Sequence, residues 1–155
     1  MNVNFINPFI VSFENAVEMM LGVSTERDAP YLKGDVLTDG DVTGVIGFAE
    51  KNVTGSVSLS FPEASALYVY HKLTGENIFQ VTREVQDSIG ELTNIVAGGA
   101  KTALASDGIT FHIGIPSVIV GKHKISHSGN TPVVAVPFRV ENRKLIMEIS
   151  MKVTA

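Results

Sequence analysis

Cysteine is absent from this 155-residue sequence, and neither charge sign dominates it. Without cysteine the chain has no disulfide, no thiolate nucleophile and no cysteine-ligated zinc. Lys and Arg number 12 against 16 Asp and Glu, which argues against nucleic-acid binding, because that function needs a clustered basic face. No apolar run approaches the roughly 18 residues that cross a membrane. The start, MNVNFINPF, lacks a basic n-region and an apolar h-region, so we expect no signal peptide and a cytoplasmic protein.

The remaining composition is typical of one folded domain over residues 1–155. With 45% apolar and 18% charged residues, the chain can bury a core and is too weakly charged to be disordered. Helical and strand patterns follow each other in the order helix, hairpin, helix, helix, strand, hairpin. This order predicts an α+β sandwich, with a mostly antiparallel sheet, helices packed on one face, and two pseudo-duplicated halves.

Three helices are predicted from apolar spacing and capping residues. Asn7 and Pro8 are predicted to cap and begin the first helix, which Gly22 ends in a left-handed conformation. A second helix is predicted over 62–75, and the longest helical pattern covers about 82–106.

The strands are predicted from alternation of apolar and polar residues. A first hairpin is predicted from about Asp35 to Phe61, a single strand over 117–121, and a last hairpin from strands 131–140 and 145–153. The residues predicted to face outward on the last strand are Glu148, Ser150 and Lys152. An exposed apolar sheet edge among these strands would serve a dimer, since it otherwise invites aggregation.

The long helix carries a polar stripe on the side away from its apolar residues. At about 100° per residue, the stripe contains Asp87, Glu91, Asn94, Gly98 and Lys101. Residues on the apolar side, predicted to face the core, include Val96, Gly99, Ala100 and Ala103. Each interior glycine costs about 1 kcal/mol relative to alanine. Gly99 is explained by close packing against the sheet, whereas Gly98 leaves space for another molecule to approach the helix backbone.

The polar stripe therefore presents a carboxylate and an amide one turn apart. Asn94 is a poor residue for a helix interior, because its short amide competes for backbone hydrogen bonds. The pair suits insertion into the cleft of another molecule. The alternative is an ordinary solvated helix face, because composition alone places an Asn three residues after a Glu in roughly one of three chains of this length.

The spacing Asp87-x3-Glu91-x2-Asn94, with Pro116 later in the chain, resembles the signature of the CheC/CheX phosphatases of bacterial chemotaxis. The segments NPFI, GSVSLSFPEASA and ELTNIVAGGAKTAL are also similar to that family. The resemblance implies a CheC-like fold, a homodimer formed by strand pairing, and hydrolysis of the aspartyl-phosphate on a CheY-like receiver domain. Val17 stands where a second motif would place asparagine, three residues after Glu14, which favours the single-site CheX type.

The resemblance also implies roles for the residues of the stripe. Asn94 would position the attacking water and Glu91 would pair with a receiver lysine, while Asp87, Gly98 and Lys101 would contact the receiver. A neutral amide suits the first role, because a carboxylate would place negative charge beside the phosphoryl oxygens. The chain would need no cofactor, since the Mg²⁺ would belong to the receiver. The alternatives are a non-catalytic adaptor or flagellar-switch-type protein that binds a receiver, and a small-molecule-binding domain.

Two histidines, His123 and His127, lie four residues apart but have no third metal ligand nearby in the sequence. We expect both to lie in a solvated loop or strand end, and we predict no metal site. The segment AGGAKT is not a phosphate-binding loop, because it lies within a helix and not at a strand-to-helix turn.

Overall fold

Three helices and eight strands make up the computed structural model, which describes residues 3–34, 37–127 and 131–154. The helices are α1 (Val3–Leu21), α2 (Glu63–Thr74) and α3 (Arg83–Ala105). The strands are β1 (Thr25–Arg27), β2 (Tyr31–Leu32), β3 (Thr38–Glu50), β4 (Val53–Phe61), β5 (His112–Ile113), β6 (Ser117–Ile125), β7 (Val133–Val140) and β8 (Arg143–Val153). The predicted α+β class is confirmed, while the predicted hairpin start at Asp35 lies outside the described residues.

The sheet is antiparallel at each strand pairing that the described residues make. The strand order is β1-β7-β8-β4-β3-β5, with β2 also paired to β7 and β6 also paired to β3. Both predicted hairpins are present, and they meet at the centre of the sheet, where β4 pairs with β8. β6 follows one outer edge and pairs along β3 from Thr38 to Val45.

Strand alternation gives the sheet one face that the helices cover. Val57 and Leu59 of β4 lie opposite Ile149 and Met147 of β8, and all four side chains are buried in the main core. The three helices contribute apolar residues to the same core, which includes the aromatic side chains Phe9, Phe13, Phe48, Phe61, Phe111 and Phe138. Burying each large apolar side chain contributes about 1.5–3 kcal/mol. None of the helices in the described ranges is long and apolar enough to span a membrane.

The predicted start of the first helix is wrong. α1 begins at Val3, so Pro8 lies inside the helix and Asn7 does not cap it. Ile6 is buried together with Phe9 and extends the apolar stripe upstream of the proline. This continuous burial outweighs the loss of one backbone donor at the proline. The predicted end is confirmed, because Gly22 has a φ of 72° and its N–H donates to the Glu18 carbonyl.

The solvent exposure expected for Glu148 and Ser150 on the outward face of β8 is also wrong. Both point away from the helices, but Glu148 is 0% exposed and Ser150 is 6% exposed. Lys33 Nζ contacts Glu148 Oε1 at 2.7 Å, and the Thr38 hydroxyl donates to the other carboxylate oxygen. Lys33 also donates to the carbonyl of Ile125. These contacts bring the segments that contain Lys33, Thr38 and Ile125 against the second face of the sheet, which sequence alternation treats as solvent-exposed.

His127 belongs to the same buried cluster, so its predicted solvated position is wrong. Its Nε2 lies 3.0 Å from Glu148 Oε1, and its Nδ1 lies 3.0 Å from the Ser56 hydroxyl oxygen. Burial would raise the pKa of Glu148, but hydrogen bonds from His127, Lys33 and Thr38 outweigh it and hold this pKa below its ordinary value. His123 is half-buried near the end of β6, where its Nε2 lies 2.6 Å from Thr43 Oγ1.

Candidate functional site

α3 is a long amphipathic helix that runs across the sheet. Thr82 is its N-cap and accepts a hydrogen bond from the backbone N–H of Val85. Glu84 lies in the first turn, where a negative charge interacts favourably with the helix dipole. The buried side of the helix consists of Val85, Ile89, Gly90, Leu92, Thr93, Val96, Ala97, Ala100 and Leu104. The remaining side carries the polar stripe. The predicted helix over 82–106 is confirmed, because α3 with its two caps covers these residues.

The structure brings the five predicted stripe residues onto one open side of α3. Asp87 and Glu91 are exposed, and Asn94, Gly98 and Lys101 are half-buried. Among the described residues, neither the Glu91 carboxylate nor the Asn94 amide has a side-chain hydrogen bond or an ion pair. The two groups thus retain their full hydrogen-bonding capacity for another molecule, because an ionised carboxylate accepts only and a primary amide both donates and accepts.

The two interior glycines of α3 have different surroundings. A Cβ added at Gly98 would meet nothing within 4 Å, in agreement with the space predicted there. A Cβ added at Gly99 would overlap the hydroxyl oxygen of Ser12 in α1. The prediction that Gly99 packs against the sheet is therefore wrong, because its close neighbour is another helix. Ala103, also predicted to face the core, is exposed.

A shallow groove of about 280 Å³ separates the outer sides of α1 and α3 beside the stripe. Its lining residues are Pro8, Val11, Ser12, Asn15, Ala16, Met19, Ile95, Gly99 and Ala103. Met19 is 84% exposed and Val11 is 52% exposed. Because Ile95 lies one turn after Glu91 on the surface of α3, the apolar groove borders the polar stripe.

Close contacts at Gly44 and Gly90 determine how near α3 lies to the sheet. The Thr93 hydroxyl donates to the Ile89 carbonyl at 2.8 Å, and a Cβ added at Gly44 of β3 would overlap that hydroxyl. A Cβ added at Gly90 would lie 3.3 Å from a methyl carbon of Val118 in β6. No local sequence pattern predicts these contacts or the contact of α3 with Ser12, because each joins elements that are distant in the chain. A glycine within a regular helix or strand is the one sequence feature that indicates a close approach of another element.

The chemistry that this surface offers is polar. Within the described ranges, no three His, Asp or Glu side chains converge as a metal-binding group. Glu91 offers a negative charge to a cation. Asn94 offers a neutral acceptor and two donors, the combination that can orient a water molecule. In the part of the chain that the structure describes, neither group has a partner that would have to be displaced first.

Comparisons with known proteins place the chain in one family. The family described as "Chemotaxis phosphatase CheX" matches residues 42–139. A comparison with curated proteins finds no similar sequence. The structure is similar to that of a CheC-like superfamily protein from Shewanella sp. PV-4, with a TM-score of 0.93 and 38% identity over 98% of this chain and 99% of that chain.

Two further solved structures carry the name CheX. Chemotaxis protein CheX from Vibrio vulnificus has a TM-score of 0.91 and 34% identity, with 96% of this chain and 99% of that chain covered. The CheX in the CheX–CheY–BeF3–Mg²⁺ complex from Borrelia burgdorferi has a TM-score of 0.81 and 28% identity, over 97% and 99%. The family match over 42–139 and these full-length similarities show that the chain belongs to the CheX family of chemotaxis phosphatases.

Proposed function

We propose that this chain hydrolyses the aspartyl-phosphate of a CheY-like receiver domain in cytoplasmic chemotaxis signalling. One observation carries the proposal: the Glu91 carboxylate and the Asn94 amide lie one turn apart on the open side of α3, and neither is bonded within the described chain. Membership of the CheX family supports the reaction class. The complex of a Borrelia relative with CheY supports a receiver as the partner.

Asn94 is assigned the task of holding the attacking water. The water oxygen forms a bond to phosphorus as the bond from phosphorus to the receiver aspartate breaks. The aspartate leaves as a carboxylate, and the water proton ends on the inorganic phosphate. Positioning is the main contribution that a second protein can make to phosphoryl transfer, because there is little covalent work to do. The neutral amide accepts a hydrogen bond from the water without repelling the phosphoryl oxygens.

Glu91 is assigned the task of fixing the helix in the receiver cleft. Its exposed carboxylate would pair with a receiver lysine, and a desolvated ion pair sets the register of docking. The open space at Gly98 would allow the receiver to approach the helix backbone one turn beyond Asn94. Asp87 and Lys101 lie at the two ends of the same stripe and would contact the rim of the cleft. The divalent metal ion in this scheme belongs to the receiver, and we assign this chain no cofactor.

We also propose a homodimer formed through the β6 edge of the sheet. Ile119 and Val120 on this strand are 39% and 43% exposed, and Ile115 just before it is 89% exposed. An edge strand with exposed apolar side chains is a template for pairing with another chain.

The activity is tested by following loss of phosphate from a phosphorylated CheY-like receiver with and without the protein. We expect the wild-type protein to accelerate the loss. Asn94→Ala should lower that rate on the order of 100-fold, because the water is no longer held in position. The matched control is Asn77→Ala, which truncates an exposed asparagine in the segment between α2 and α3 and should keep the full rate.

Two outcomes would contradict the catalytic assignment. Full activity of Asn94→Ala would remove the proposed role of the amide. Equal rates of phosphate loss with and without the wild-type protein, together with binding of the phosphorylated receiver, would support the adaptor in place of the phosphatase.

The dimer is tested by measuring molar mass in solution by light scattering. We expect Ile119→Lys to convert the dimer to a monomer, because a charged side chain on an edge strand disfavours pairing. The control is Thr54→Lys on β4, an exposed position on a strand that is paired on both sides. A wild-type monomer at the highest concentration used would contradict the proposal.

A further inference from the structure

The contact between α1 and α3 is unusually close at one point. The Ser12 hydroxyl of α1 donates to the carbonyl oxygen of Val96 in α3 at 2.8 Å. One turn along α3, a Cβ on Gly99 would overlap the Ser12 oxygen and lie 3.1 Å from Ser12 Cβ. The serine side chain therefore bonds to one peptide unit of α3 and packs directly against the backbone of another.

This contact restrains rotation of α3 about its own axis. Val96 follows Asn94 by two residues, so the hydrogen bond acts on the same turn of helix as the amide. The opposite flank of α3 packs against the sheet, where Gly90 lies beside Val118. A rotation in either direction would break the bond from Ser12 or press a flank of α3 into its neighbour. The open side, with Glu91 and Asn94, is the arc that these contacts leave free.

A restraint on the rotation of α3 matters because the Asn94 amide has to be placed accurately to hold the attacking water. A side-chain atom lies about 5–6 Å from the helix axis, so a rotation of about 10° moves it by about 1 Å. A displacement of that size in a positioning group can cost on the order of 100-fold in rate. The hydrogen bonds of α3 alone do not oppose such a rotation, since they turn with the helix.

We propose that Ser12 and Gly99 are positioning residues that fix the rotation of α3 and thereby aim the Asn94 amide at the receiver phosphoryl group. This inference rests on the proposed function. Ser12 and Gly99 act through α3 and are not assigned contacts with the phosphoryl group. The competing interpretation is ordinary helix packing, in which the same contact stabilises the fold and has no effect on the rate per folded molecule.

The test measures kcat and KM for dephosphorylation of a phosphorylated CheY-like receiver, with the folded fraction of each variant determined under assay conditions. Gly99→Ala should lower kcat about tenfold with KM within about twofold, because the added methyl displaces α3 by less than about 1 Å. Ser12→Ala should lower kcat less, since it removes the hydrogen bond without introducing a clash. The matched control is Ser88→Ala, whose hydroxyl donates to the Glu84 carbonyl within α3.

The double variant Ser12→Gly with Gly99→Ala should raise kcat from the value of Gly99→Ala to about that of Ser12→Ala, because the clash is relieved while the hydrogen bond to Val96 stays lost. Removing the Ser12 side chain clears the space that the added methyl needs. The helix-propensity cost of glycine at position 12 is offset by the gain from alanine at position 99. A merely destabilised Gly99→Ala would show a lower melting temperature and an unchanged kcat per folded molecule, which would overturn the inference.

The outcomes separate this inference from the function on which it rests. If the wild-type protein does not accelerate dephosphorylation, the proposed function fails and the positioning role fails with it. If the wild-type protein is active and folded Gly99→Ala retains its kcat, only the positioning role fails. If Gly99→Ala does not fold, Ser12→Ala decides, because it removes the hydrogen bond to Val96 without introducing a clash at Gly99.

Discussion

Two glutamates on opposite sides of the sheet have opposite surroundings. Glu148 is 0% exposed and receives hydrogen bonds from Lys33, Thr38 and His127. Glu91 is exposed and has no hydrogen-bond or ion-pair partner among the described residues. Both belong to regular elements, and both are predicted from the sequence to point outward. The carboxylate oxygens of Glu148 are paired within the protein, whereas the carboxylate of Glu91 is open to a binding partner.

The difference shows how this fold uses charged groups. A buried carboxylate is tolerated when each of its oxygens is paired, and removing one partner leaves an uncompensated charge. An exposed carboxylate contributes little to stability but remains available for binding. We therefore expect changes at Glu148 to alter stability and changes at Glu91 to alter binding.

The largest expected effect is on the stability of the Glu148→Ala variant. Truncation leaves the Lys33 ammonium buried without its carboxylate and should lower the free energy of unfolding by about 3–5 kcal/mol. The same truncation at Glu91 should change it by less than about 0.5 kcal/mol, because the side chain is exposed and unpaired. Urea denaturation of both variants measures the two values. Similar values for the two variants would remove the distinction between the glutamates.

The next largest effect is expected on receiver binding by Glu91→Gln. This change keeps the size of the side chain but removes its charge. Loss of one partner of a desolvated ion pair costs about 2 kcal/mol or more, which weakens binding at least about 30-fold. Calorimetric titration with a CheY-like receiver carrying beryllofluoride and Mg²⁺ measures the dissociation constant. Unchanged affinity would show that Glu91 does not pair with a receiver cation.

Local sequence patterns predicted the side of α3 that carries the stripe, because a long helix with regular apolar spacing has only one face that can be buried. The space beside Gly98 follows from the same periodicity. The alternation along β8 also predicted the correct face of the sheet for Glu148, since this side chain does point away from the helices. These features depend on residues close together in the chain.

The features that sequence analysis missed depend on contacts between distant segments. Glu148 is buried because Lys33, 115 residues away, is brought over the second face of the sheet. Gly99 packs against Ser12, and no periodicity in α3 could name a residue of α1. Pro8 lies within α1 because apolar burial outweighed a local capping signal. The catalytic roles of Glu91 and Asn94 come from the family resemblance and stay predictions.

The smallest expected effect concerns the pH dependence of stability. Hydrogen bonds hold the pKa of Glu148 below its ordinary value in the folded protein, so the unfolded chain binds a proton at this group more readily than the folded protein does. The resulting stabilisation is present above the unfolded pKa and is lost as pH falls through the folded pKa. Stability should therefore decline as pH falls below about 4.5, the ordinary value for this carboxyl.

The urea midpoint measured at successive pH values below about 5 tests this linkage in the wild-type protein and in Glu148→Gln. The glutamine variant removes the titrating group, so its midpoint should fall less steeply over this window. Glu91→Gln serves as the matched control and should follow the wild-type curve, because it makes the same substitution at an exposed position with no partner among the described residues. If all three curves have the same slope, the buried cluster contributes nothing to acid sensitivity, and the contrast between the two glutamates would then rest on packing and not on charge.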